Sequence, residues 1–201
     1  MEKKKIFTVH DIVMVGVMAA VCFVTTMFLS IPIPTPAGQT MVKVANIFCL
    51  LSGMILGGVK GGLAAGIGSF LYDMTNPAFI SSAPFTFLFF FMMAYVCGLF
   101  YNLAENSRSK LLYFVWSALG AAAGQTVYII LLFTKRILTL VLAGSAFDAA
   151  LIQEMARMPS SLINMAIAVP CAVILAPIII KALKKANVYQ KLTKRINYVA
   201  K

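Results

Sequence analysis

The sequence predicts an all-α integral membrane protein: a bundle of six transmembrane helices, both termini cytoplasmic. Three observations carry this. Of 201 residues, 61% are hydrophobic and 11% charged, where soluble domains run at about half and about a quarter. The mean hydropathy is +0.93. The 17 Lys and Arg, set against 6 Asp and Glu, stand mostly at the ends of apolar runs, as cytoplasmic flanks of membrane helices do. Six spans of roughly 20 residues use about 120 residues, so 1–201 reads as a single transmembrane domain with no room for a soluble one. A soluble enzyme, a nucleic-acid-binding module and a secreted disulfide scaffold fit poorly.

The first span runs about 8–29. MEKKK followed by an apolar stretch imitates a signal peptide, but Ile12 to Leu29 is free of charge for longer than a typical h-region and shows no obvious cleavage site. The span ends before Pro32, Pro34 and Pro36, which predict an extended loop. Span two covers about 42–57. A tight turn through Gly57, Gly58, Lys60 and Gly61 leads to span three, about 61–76, which stops at Asn76-Pro77. Span four covers about 83–102, and a polar loop around Glu105 to Lys110 precedes span five, about 111–133. A long connection, 134–158, leads to span six, about 159–182, with Pro170 and Pro177 as expected kinks.

Positive charge sets the orientation. Lys3, Lys4, Lys5, Lys60, Arg108, Lys110 and seven basic residues from Lys181 to Lys201 fall inside, against Lys43, Lys135, Arg136 and Arg157 outside. Spans two and three reach only about 24 Å each, short of the roughly 30 Å hydrocarbon layer. The outer loops are therefore expected to fold down and cap a cavity.

The chemistry available is that of binding. Cys22, Cys49, Cys97 and Cys171 stand far apart with no CxxC spacing, which makes them small buried residues and not a metal or redox pair. His10 is the sole histidine, beside Asp11, so paired-histidine haem ligation and HExxH zinc chemistry are excluded. No catalytic residue, metal site or cofactor is assigned.

Centring the hairpin between spans two and three on Gly58 places Lys43 opposite Asp73, two ionisable groups at one depth near the outer surface. A charge at mid-membrane costs about 2.5–3.5 kcal/mol, so either the two bind a polar ligand or they form a structural ion pair. Asn46 lies one turn inward from Lys43. Gln125 and Tyr128 share a face of span five, with Thr126 beside them, and Ser160, Ser161 and Asn164 open span six. These groups either orient a small ligand or hydrogen-bond between helices. Arg136 is a further candidate. Phe85 and Thr86 stand at the outer end of span four, facing pocket or lipid. Gly62 and Gly66, and Ala64 and Gly68, give span three the small-xxx-small spacing of close packing. On span one Val13, Gly16, Ala20 and Val24 make a smooth stripe, for packing within the bundle or docking onto a partner.

Residues 42–53 (VKVANIFCLLSG) and 56–74 (LGGVKGGLAAGIGSFLYDM) resemble the substrate-binding S components of energy-coupling factor (ECF) transporters, six-helix bacterial vitamin-uptake proteins. The resemblance extends over the whole chain in architecture and is sharpest at 42–74. It is nearest to the pyridoxine/hydroxymethylpyrimidine-like branch, sometimes labelled riboflavin-type. It implies a non-enzymatic membrane subunit of a bacterial ABC importer. Such a subunit captures a B-vitamin or precursor (pyridoxine or hydroxymethylpyrimidine first, then riboflavin) from outside and reorients on a coupling module of one transmembrane subunit and two ATPases. ATP hydrolysis must come from those partners, because this chain has no Walker sequence. The family's small residues on the first helix imply that Gly16, Ala19 and Ala20 dock the coupling subunit. Lys43, Asn46, Asp73, Gln125, Tyr128, Arg136 and Asn164 are the expected ligand residues. The rival readings are a self-sufficient ion-coupled transporter, which would show repeated halves, and a membrane enzyme, for which only His10 and Asp11 are adjacent.

Overall fold

The computed structural model describes residues 8–35, 38–77, 79–105 and 109–186, of which 31–35, 38–42, 105 and 110 as backbone. Lys3 to Lys5, Pro36, Arg108 and Lys191 to Lys201 lie outside these residues, so much of the charge pattern behind the expected orientation does too.

Helix α1 (Val9–Phe28) opens on a capping box: the Thr8 backbone N–H and hydroxyl both donate to Asp11 Oδ2, at 2.9 and 2.8 Å. The segment expected to be an extended loop is instead an antiparallel hairpin of β1 (Ser30–Thr35) and β2 (Gly38–Lys43), with Ser30 opposite Lys43 and Thr35 opposite Gly38. Pro32 and Pro34 are two apart, so their missing N–H groups fall on one edge of β1, where a strand tolerates them.

Helix α2 (Ala45–Leu56) is buried on all sides, as a helix without a polar face must be. Its turn into α3 (Gly58–Thr75) is made by Gly57 at φ +82°, a conformation that a side chain disfavours. A 3-10 turn (Ile80–Ser82) precedes α4 (Ala83–Glu105). Helix α5 (Lys110–Leu142) runs well past the expected end at 133, and most of the remaining connection is a short helix, α6 (Phe147–Met155). Helix α7 (Met158–Lys185) continues through Pro170 and Pro177. Helices α1, α4, α5 and α7 are long and apolar enough to cross a bilayer. The twelve residues of α2 span only about 18 Å.

Close backbone approach holds the centre together. A methyl group on Gly98 of α4 would stand 2.6 Å from the Gly58 nitrogen, and one on Gly62 or Gly66 would press on Phe91 or Phe87 of α4. Gly68 faces α1, where an added methyl would meet Ala19 O at 2.5 Å and Cys22 Cβ at 2.7 Å. The small-residue spacing in α3 thus serves internal packing on two faces. Around it Leu50, Leu51, Met54, Ile55, Phe90 and Met93 are fully buried, as are Cys22, Cys49 and Cys97; Cys171 is half-buried.

The start of α1 and the α2–α3 turn lie at one end of the bundle, joined by an ion pair of Lys60 Nζ to Asp11 Oδ1 at 2.8 Å. The hairpin, the end of α3 and the start of α4 gather at the other. That end holds the cavity.

Candidate functional site

One cavity of about 110 Å³ opens among the end of β2, α2, α3, α4, α5 and α7. Lys43, Asn46, Asp73, Gln125, Tyr128, Arg136 and Asn164 all border it.

The hairpin positions Lys43. Its backbone N–H donates to Asn164 Oδ1 at 2.8 Å, and its ammonium stands 5.5 Å from the ring centre of Tyr72 and 5.8 Å from that of Phe90, within cation–π range. Asp73, nearly fully buried, faces the same cavity from α3. Among the described residues no ion pair joins the two; the pairs are Lys60–Asp11, Arg136–Glu154 and Arg157–Glu154. The charges meet across open space, not in contact.

Helix α5 lays Gln125, Tyr128, Leu132 and Arg136 along the cavity, at offsets of three and four that keep them on one face. The Tyr128 ring packs 4.8 Å from Phe90, tilted by 48°. Arg136 reaches Glu154 Oε2 at 3.5 Å, and Arg157 holds the same carboxylate at 2.5 Å. Glu154 is 1% exposed, so α6 is anchored to α5 and α7 by a buried acid between two guanidinium groups. Gln125 and Asn46 differ from their neighbours: both amide atoms of Gln125, and Oδ1 of Asn46, are buried without a hydrogen-bond partner, a condition that costs about 1–3 kcal/mol per group.

Lys135, Ser82, Phe79 and Leu132 also border the cavity and escaped the sequence reading. Lys135 Nζ donates to Ser82 Oγ at 2.9 Å and stands 5.5 Å over the Phe85 ring. The helical spacing from Gln125 carries the signal for Lys135, seven residues beyond Tyr128, because α5 continues past 133 to Leu142. Phe85, Thr86 and Ser161 line the cavity, whereas Thr126 is exposed and bonds back to Ala122 O at 2.8 Å. Ser160 is buried and donates to Arg157 O at 2.8 Å.

On α1 the three expected docking residues separate. Gly16 and Ala20 are exposed with Val13 and Val24, and nothing stands within 4 Å of a methyl added at Gly16. Ala19 is 5% exposed, turned inward onto Gly68 of α3. Its side chain packs inside the bundle while its neighbour Ala20 faces out, because one step along a helix rotates a side chain by about 100°.

Four long apolar helices, largely exposed on their outer faces, surround a core and a cavity lined by polar amides, charged side chains and aromatic rings, the arrangement of a multi-pass membrane protein. Residues 6–185 match the family described as "ECF-type riboflavin transporter, S component", and the chain belongs to that family. This is a transporter class concerned with vitamin uptake, not an enzyme class. The chain is similar to a UPF0397 protein of Lactiplantibacillus plantarum (strain ATCC BAA-793 / NCIMB 8826 / WCFS1), 41% identical over 76 residues, which are 38% of this chain and 40% of that protein. The match thus spans less than half of the curated relative. It is also similar in fold to a solved structure described as "Structure and mechanism of the S component of a bacterial ECF transporter", with a TM-score of 0.57 and 20% identity over 87% of this chain and 97% of that one.

Proposed function

We propose that this chain is a vitamin-capturing S component of an ECF-type importer in a bacterial cell membrane, both termini cytoplasmic. It takes a one-ring B-vitamin or precursor from the outer side, with pyridoxine or hydroxymethylpyrimidine ahead of riboflavin. The observation that carries this is the cavity itself, with Lys43, Asp73, Gln125 and Arg136 facing aromatic walls. Its size of about 110 Å³ is on the scale of one ring: an apolar cavity of roughly 150 Å³ accommodates benzene, and a fused tricycle needs far more. Aromatic walls bury the ring faces while a few polar groups fix its orientation.

Lys43 and Asp73 are set apart so that a polar ligand bridges them. The hairpin and α6 close over the ligand from outside. The bundle then reorients on a coupling module of one transmembrane subunit and two ATPases, which docks on the exposed face of α1 around Gly16 and Ala20. Calorimetric titration of the detergent-purified chain with pyridoxine, hydroxymethylpyrimidine, thiamine, riboflavin, pantothenate, biotin and folate tests the reading. Tight, saturable binding of one compound supports it. No binding by folded protein overturns it, and uptake by the isolated chain driven by an ion gradient favours a self-sufficient transporter.

A further inference from the structure

Gln125 sits fully buried in the cavity wall with neither amide atom bonded, and Asn46, 2% exposed in the same wall, leaves Oδ1 unbonded. Ser52 and Thr26, equally buried elsewhere in the bundle, are satisfied: Ser52 donates to Gly61 O at 2.9 Å, and Thr26 to Cys22 O at 2.6 Å. Leucine would fill the place of Gln125 without the loss, so the amide needs a reason outside the protein's own bonding. A carboxamide is planar and presents one acceptor beside one donor. It pairs at two points with any ring edge that offers a donor next to an acceptor, as it does with adenine.

We propose that Gln125 is the specificity-determining residue of this cavity. It reads a single heteroaromatic ring on which an exocyclic amino group adjoins a ring nitrogen, or a ring N–H adjoins a carbonyl, while Asn46 Oδ1 accepts a further N–H or O–H. The inference rests on the ligand-capture reading above and narrows it. Pyridoxine is of the right size but has no coplanar donor–acceptor pair on adjacent atoms; riboflavin has such an edge but carries three fused rings.

The test titrates the full detergent-purified chain with 4-amino-5-hydroxymethyl-2-methylpyrimidine, with its analogue bearing methyl in place of the amino group, and with pyridoxine and riboflavin. Wild type and Gln125→Leu are compared, each first shown by thermal melting to be folded. Wild type is expected to prefer the amino compound to its methyl analogue by on the order of 10- to 100-fold, and Gln125→Leu to abolish that preference. The analogue pair needs no variant, so a misfolded mutant does not block the test. Equal binding of both pyrimidines by wild type, or a preference that survives in Gln125→Leu, overturns the edge assignment while leaving ligand capture standing. Tight binding of pyridoxine or riboflavin with no binding of either pyrimidine overturns the assigned ring class and again leaves capture intact. If folded wild type binds none of the four, the edge proposal falls and the capture reading goes to the wider vitamin panel.

Discussion

The backbone N–H of Lys43 and the side-chain Oδ1 of Asn164 meet at 2.8 Å, tying the end of the β1–β2 hairpin to α7 at the cavity wall. The bond needs an acceptor on α7. Asn164→Asp keeps that acceptor and is expected to hold ligand affinity within about threefold, whereas Asn164→Ala leaves a partly buried N–H unpaired at a cost of about 1 kcal/mol. Faster ligand dissociation in Asn164→Ala alone, followed by stopped flow, checks this. Equal rates in both variants would detach the bond from closure.

Lys43 and Asp73 face the cavity without touching each other. If a ligand bridges them, Lys43→Met and Asp73→Asn each weaken binding by about 10- to 100-fold, in line with charge-assisted hydrogen bonds worth about 1.5–3 kcal/mol. The apo protein should lose little stability from either change. Calorimetry beside thermal melting separates the two effects, and unchanged affinity in both variants would remove the charges from the site.

Lys60 and Asp11 form an ion pair in which the carboxylate is 1% exposed and the lysine side chain 17%. Lys60→Met strands a buried carboxylate whose Thr8 donors compensate only in part. A loss of about 3 kcal/mol is expected. Asp11→Asn should cost less, because Lys60 is partly exposed and its long stem lets the ammonium turn to water. A double-mutant cycle on unfolding should give a coupling of about 1–3 kcal/mol; a value near zero would make the pair incidental.

Glu154 compensates Arg136 and Arg157 at once. Glu154→Gln leaves two guanidinium groups facing each other beside the cavity, and it is expected to release α6 and lower stability by about 2–4 kcal/mol. Hydrogen exchange across 147–155 reads this directly. Protection that stays at the wild-type level would show that α6 is held by its apolar contacts.

Two glycines should respond in opposite ways. A methyl at Gly68 meets the α1 backbone at 2.5 Å, and one at Gly16 meets nothing. Gly68→Ala is expected to lower the melting temperature by several degrees, through overpacking of about 1–3 kcal/mol, and Gly16→Ala to leave it unchanged. Gly16→Leu should keep ligand binding and lose uptake in membranes that contain the coupling module. Full uptake by Gly16→Leu would move the docking face elsewhere.

Hydropathy and basic flanks were enough to mark a helical membrane protein, because every backbone group in lipid must find its partner within a helix or a closed sheet. The Gly57-Gly58 turn was legible too, and counting outward from it brought Lys43 and Asp73 to one depth. The hairpin was not legible: Pro32 and Pro34 argue against a strand in any setting except an edge, and only pairing with β2 supplies that setting. The extension of α5 past 133 was hidden for a related reason. Lys135 and Arg136 look like the end of a span until Ser82 and Glu154, far away in sequence, are found to receive them.

Composition and local period suffice to read the solvent of this protein, the places where its helices turn and the kinds of side chain that meet near one surface. These follow from local period and composition, which need no knowledge of neighbours. Three features emerge from packing alone: Ala19 turns inward while Gly16 and Ala20 face out, Lys43 and Asp73 stand apart, and the amide of Gln125 is left open in the cavity wall. Each of these depends on how helices distant in sequence rotate against one another, and that rotation is set by close packing at glycines such as Gly62 and Gly68, which no single-chain period encodes.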